Sequence, residues 1–178
     1  NKEFIYKCES KIKQQNSNII LIENDIFRRF GAPDNVPKIV DDVSIFLSKI
    51  QMPRDHNIIW RQRTTDYLSV YHLIKDKFLH LNILRDTCTD LNILADNSMI
   101  SVGFGANSSL AYDLVARGII NFFCSSEYSQ HEYVPNIRSF HSQIGPIYAA
   151  NMVNSINQDY KSLHSQLLKS QQNFIQSL

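Results

Sequence analysis

Five short apolar runs recur along this chain, each separated from the next by a polar turn and a segment with helical spacing. That alternation limits the possible folds more than any other feature. The runs are Ile19 to Ile22, Ile58 to Trp60, the alternating Leu79, Leu81 and Ile83, Met99 to Val102, and Ile119 to Phe123. Short β-branched runs of this kind read as buried strands. Between them, Val40, Val43, Phe46, Leu47 and Ile50 share one helical face, which Pro53 closes. Tyr67, Val70, Tyr71, Ile74 and Phe78 form a second face behind a cap at Thr64 or Thr65. Thr89 or Asp90 caps a short helix through Leu91, Leu94 and Ala95, and Leu110 to Arg117 is a helix stopped by Gly118. Two last helices begin near Pro146 and Asp159, anchored by Leu163, Leu167 and Phe174.

Strands alternating with helices call for a parallel sheet covered on both faces. The expected fold is therefore α/β, a Rossmann-like parallel sheet of about five strands with helices on both faces and a C-terminal helical pair. Right-handed crossovers bring every strand's C-terminal end to one edge, where such sheets bind ligands. Residues 18–178 form this domain. Residues 1–17, with Phe4, Cys8 and Ile12 at helical spacing, read as a linker helix arriving from an N-terminal domain of a longer protein.

Composition narrows the function classes. The 178 residues carry a formal net charge of +1, which argues against a nucleic-acid binder with a basic face. An apolar share of 43% supports a full core. Cys8, Cys88 and Cys124 are odd in number and far apart, so neither a disulfide framework nor a zinc site is expected. The six histidines show no metal-ligand spacing. No run approaches the roughly 20 apolar residues of a transmembrane segment, and no signal peptide is visible, so the expected location is cytoplasmic.

The stretch Gly103 to Gly118, GFGANSSLAYDLVARG, carries the best candidate chemistry. It joins a strand to a helix through a tight turn containing Gly105, Asn107, Ser108 and Ser109. Glycine lets a backbone approach a ligand closely, and a helix N-terminus offers unpaired N–H groups suited to phosphate. Asp113 lies four residues after Ser109, where a carboxylate would accept both hydroxyls of a ribose. The same pattern also serves a plain turn, an N-cap and a favourable helix dipole. It is neither the dinucleotide fingerprint nor a Walker loop. After the second strand, Arg61 and Arg63 would suit a diphosphate, because guanidinium forks bind phosphate bidentately. Solvated ion pairs are the alternative for both. Glu23, Asp25, Arg28, Arg29 and His131 are further polar residues near the same expected edge.

Val102 to Phe123 resembles the C-terminal domain of GT-B-fold glycosyltransferases, especially bacterial surface-polysaccharide enzymes. In those, a strand leads to a serine-rich turn, a helix with an acidic residue, a glycine and another strand. Ser108, Ser109, Asp113, Gly118 and Ile119 to Phe123 match in order, with Asp113-Leu114 where the family commonly has Glu-Ala. The family's Arg-x-His-Pro turn is matched by Arg61, with Arg63 and Thr64 in place of His-Pro. The resemblance implies a nucleotide-sugar donor, with its nucleoside near Arg85 to Thr89, its phosphates over Ser108 and Ser109 beside Arg61 or Arg63, and its ribose on Asp113. It implies no metal and no cofactor besides that donor substrate. The glycan acceptor and the catalytic base would belong to the N-terminal domain, so this chain alone would bind donor weakly and transfer nothing. A polyol-phosphate transferase, a sugar-nucleotide epimerase or a non-catalytic interaction module on the same fold are the other readings.

Overall fold

The computed structural model describes residues 18–23, 36–52, 56–62, 69–86, 89–104, 109–125, 141, 143–158 and 160–177. The chain order is β1 (Asn18–Glu23), α1 (Val36–Lys49), β2 (Ile58–Gln62), α2 (Ser69–Lys77), β3 (Ile83–Asp86) and α3 (Leu91–Asp96). It continues with β4 (Ser98–Phe104), α4 (Ser109–Ala116), β5 (Ile120–Phe123), α5 (Pro146–Gln158) and α6 (Tyr160–Gln176). The strands form one sheet in the order β3-β2-β1-β4-β5, and every neighbouring pair is parallel.

Both faces of this sheet are buried, which explains why its strands read as continuous apolar runs. Alternate side chains divide between two cores. Ile19, Leu21, Ile58, Trp60, Val102, Phe104 and Phe122 pack with α1, α2 and α5 on one face. Ile20, Ile22 and Ile59 pack with Leu94 of α3 and with Ala111 and Leu114 of α4 on the other. Beyond the end of α4 at Ala116 the chain turns through Gly118, whose φ of 92° is costly for any residue with a Cβ.

Several strand boundaries differ from the sequence reading, with β2 running on through Arg61 and Gln62, and packing accounts for those of β3 and β4. The alternation of Leu79, Leu81 and Ile83 does not make one strand, because Phe78 still anchors the preceding helix and the Leu81 N–H bonds to its carbonyl. Leu79 is 81% exposed, and β3 starts only at Ile83. Gly103 and Phe104 belong to β4 rather than to the turn, because Phe104 fills the core against Trp60 with ring centroids 5.0 Å apart.

An asparagine ladder closes the sheet's N-terminal edge. Asn82 Nδ2 donates to Asn57 Oδ1 at 2.5 Å, and Asn57 Nδ2 donates to Asn18 Oδ1 at 3.1 Å. These amides precede or open β3, β2 and β1 at matching positions and pin the register there. On the helical layer, Asn154 of α5 accepts the Gln51 N–H at 2.7 Å and donates to the Lys49 carbonyl at 3.0 Å, satisfying the C-terminal end of α1.

Candidate functional site

The strand order reverses beside β1: the chain runs outward through β2 and β3, then returns to the other side of β1 as β4. This switch point lies between β1 and β4, and in open α/β sheets it is where a crevice forms at the strands' C-terminal ends. Glu23 and Phe104 are the last paired residues there. The residues ending β2 and β3, Gln62 and Asp86, line the same edge.

Glu23 is buried and accepts a hydrogen bond from Trp60 Nε1 at 2.6 Å. The indole is fully buried, with Tyr71 and Phe104 edge-on at 5.6 Å and 5.0 Å. Gln62, on the same face, accepts from Arg85 Nε at 2.8 Å. The opposite face carries an ion pair. Arg61 Nη1 and Asp86 Oδ2 are 2.5 Å apart, with the arginine side chain 17% exposed and the aspartate 1%.

The other oxygen of Asp86 accepts the Thr89 N–H at 3.0 Å and the Thr89 hydroxyl at 2.7 Å. Burial of Asp86 opposes ionisation. The Thr89 hydroxyl, the Arg61 guanidinium and the Thr89 N–H together outweigh it and hold the carboxyl below its usual range. The sequence reading placed a nucleoside around Arg85 to Thr89. In the structure Asp86 binds Thr89 within that span, and Asp90 caps α3 by accepting the Asn92 N–H at 2.8 Å.

Of the site residues read from the sequence, Arg61 lies at the edge in the ion pair just described. Ser109 is the first residue of α4 and is exposed, and Asp113 is exposed one turn along the same helix. Four residues apart, they share one helical face. Arg117 steadies the end of that helix, donating to the Asp113 carbonyl at 2.8 Å and to Asn92 at 3.0 Å. Arg63, Gly105, Asn107 and Ser108 lie outside the described residues, as do Asp25, Arg28, Arg29 and His131.

Asp86 and Gln62 were missed by the sequence reading. The signal available for Asp86 was an Asp-x-x-Thr spacing at the end of a strand, the pattern of a side chain folding back on its own turn. Cys124 is fully buried, and its thiol is pushed well above the ordinary range by that burial and by the charge of Asp42, so it is not a nucleophile. Among the described residues no His, Cys, Asp and Glu grouping could hold a metal ion, and no helix is long and apolar enough to cross a membrane.

No family model and no curated protein matches the sequence. Solved structures do match the fold. The catalytic domain of cholesterol-alpha-glucosyltransferase from Helicobacter pylori aligns over 92% of this chain and 100% of its own, at 8% identity and a TM-score of 0.61. A putative UDP-N-acetylglucosamine 2-epimerase from Listeria monocytogenes aligns over 87% of this chain at 12% identity and a TM-score of 0.53. UDP-GlcNAc 2-epimerase from Neisseria meningitidis, solved with UDP-GlcNAc bound, aligns over 88% at 16% identity and a TM-score of 0.52. This chain spans 40% of each epimerase. At these identities the likeness is one of fold, and the fold is that of a GT-B C-terminal domain: five parallel strands in Rossmann-like order with helices on both faces.

Proposed function

We propose that this chain is the donor-binding half of a glycosyltransferase, taking a nucleotide-sugar at the C-terminal edge of its sheet for transfer to a polysaccharide or glycan acceptor. The observation that carries this reading is the position of α4. It is the next described element after β4, the strand at the switch point, with Ser109 at its first turn and Asp113 one turn on, on the same exposed face. A helix start favours phosphate through its free N–H groups and dipole. Ser109 adds a hydroxyl donor, and the Asp113 carboxylate is suited to paired ribose hydroxyls. Arg61 and Arg63 would stabilise the leaving diphosphate, an electrostatic contribution made without a metal. Gly105, Asn107 and Ser108 would line the turn over the phosphates. A second domain would bring the acceptor and the catalytic base, so this chain alone would bind donor and transfer nothing.

A second reading, sugar-nucleotide epimerisation, draws on the two 2-epimerases among the fold neighbours. Both readings need a nucleotide-sugar at the same edge. Analysis of the products that the full-length protein forms would separate them.

Calorimetric titration with UDP, CMP, CDP and GDP tests the shared premise. One nucleotide should bind, with affinity falling roughly tenfold in Ser109→Ala and in Asp113→Ala, the scale of one lost hydrogen bond to a charged group. Binding of no nucleotide by the folded chain would contradict the donor-site reading and favour an interaction module. Turnover by the chain alone would contradict the two-domain arrangement.

A further inference from the structure

Arg61 is only partly committed by the contacts around it. A guanidinium has five N–H groups in a rigid fork. One is spent on Asp86, and among the described residues the others meet no acceptor. The side chain is nevertheless 17% exposed rather than lying out in water. An arginine drawn this far in, with donors to spare, is suited to an anion that completes its fork. Asp86, 1% exposed, is itself anchored through Thr89, whose N–H and hydroxyl both bind its second oxygen. The arginine is thus tied through one carboxylate to the segment leading into α3, beyond the neighbouring strand.

We infer that Asp86 is a positioning residue: bound to Thr89, it holds Nη1 of Arg61 so that the remaining guanidinium donors form a fixed fork for a diphosphate at the sheet edge. The naming of a diphosphate rests on the donor-site reading, while the fork itself follows from the ion pair. Without Asp86 the guanidinium would keep its charge and lose its orientation. Anion affinity would then fall although no group that touches the anion had changed.

The test is calorimetry with inorganic pyrophosphate beside the nucleotides, on the wild type, Arg61→Gln, Asp86→Asn, Thr89→Val and the double variant Arg61→Gln/Asp86→Asn, each checked for folding by circular dichroism. Pyrophosphate should bind the wild type, bind at least tenfold but still measurably more weakly in Arg61→Gln, and bind about tenfold more weakly in Asp86→Asn. The double variant should be no worse than Arg61→Gln, because Asp86 acts through Arg61. Wild-type affinity in Asp86→Asn, or losses that add in the double variant, would overturn the inference. Should Asp86→Asn fail to fold, Thr89→Val decides: it leaves both charges and loosens the anchor, so undiminished pyrophosphate binding overturns the inference. Pyrophosphate binding without nucleotide binding keeps the fork and ends the donor-site reading. Nucleotide binding without pyrophosphate binding does the reverse, and binding of neither ends both.

Discussion

Gln171 completes the open edge of the sheet through Asn121. Its Oε1 accepts the Asn121 N–H at 2.9 Å, and its Nε2 donates to the Asn121 carbonyl at 2.6 Å. Among the described residues, strand β5 has a neighbouring strand on one side only, and an edge strand otherwise presents unpaired backbone groups. One side-chain amide from α6 supplies the donor and acceptor that a sixth strand would bring. Gln171 is 7% exposed and Asn121 is fully buried, so water cannot readily replace the amide. Gln171→Ala should cost about 2–3 kcal/mol, the scale for leaving buried polar groups unpaired. Urea unfolding should show this as a lower midpoint with an unchanged slope. A midpoint within error of the wild type would mean that the amide contributes nothing to holding α6 on the edge.

Glu23 and Trp60 make a second prediction, on the other side of the switch point. The chain has one tryptophan, so its fluorescence reports this site alone. Glu23→Gln keeps a carbonyl acceptor for the indole N–H and should cost under about 1 kcal/mol. Glu23→Ala leaves that N–H buried and unpaired, and should cost about 1–3 kcal/mol. Denaturant titration followed by tryptophan emission measures both. Equal losses in the two variants would show that packing, and not the hydrogen bond, decides the effect.

These pairings mark what the sequence could and could not disclose. The strands were legible because both faces of the sheet are buried, which makes Ile19 to Ile22 an unbroken apolar run and leaves Ile119 to Phe123 interrupted only by Asn121. Helix α3 was legible, and because capping is local its cap was narrowed to Thr89 or Asp90, of which Asp90 is the one used. The beginning of β3 was not, because Leu79 and Leu81 alternate like a strand while Phe78 keeps their backbone in a turn. Nor were the partners of the polar side chains. Arg61 finds Asp86 at a separation of 25 residues, and Asn121 finds Gln171 at 50. The sheet order brings the first pair together, and the docking of α6 beside β5 the second. Ser109 and Asp113 were legible as one exposed helical face because their spacing is local.

Gly103 allows a third prediction, about close approach rather than turning. A Cβ there would sit 3.1 Å from Phe123 Cδ2 and 3.4 Å from Cε2. The residue pairs with Ile22 on β1 and Phe123 on β5, so the backbone has little freedom to move away. Gly103→Ala should therefore cost about 1–3 kcal/mol by overpacking. Adding Phe123→Leu removes the ring and should recover part of that loss, giving a double-mutant coupling above about 0.5 kcal/mol. Strictly additive losses, read from thermal or urea unfolding, would locate the strain elsewhere.

The last prediction concerns acid. His141 is buried beside Phe123, with ring centroids 6.2 Å apart, and burial draws its pKa down to about 4 from an ordinary 6.5. Between those values the unfolded chain takes up a proton that the folded chain refuses. Stability from this source is complete above pH 6.5 and is lost as pH falls toward 4, by about 2–3 kcal/mol at pH 4.5. His164 works in the same direction. Burial lowers its pKa, and the backbone hydrogen bond at Met99 only partly offsets that. Asp86 acts in a lower window. Its depressed carboxyl contributes fully above the unfolded value of about 3.9 and is lost only as pH falls from there through its folded value. Urea midpoints at pH 7 and pH 4.5 therefore separate the groups. His141→Phe should show a smaller drop than the wild type across that interval, while Asp86→Asn should follow the wild type there and diverge only below about pH 4. An unchanged drop in His141→Phe would mean that this imidazole is free to take its proton in the folded protein, and that the acid sensitivity lies with His164 or elsewhere.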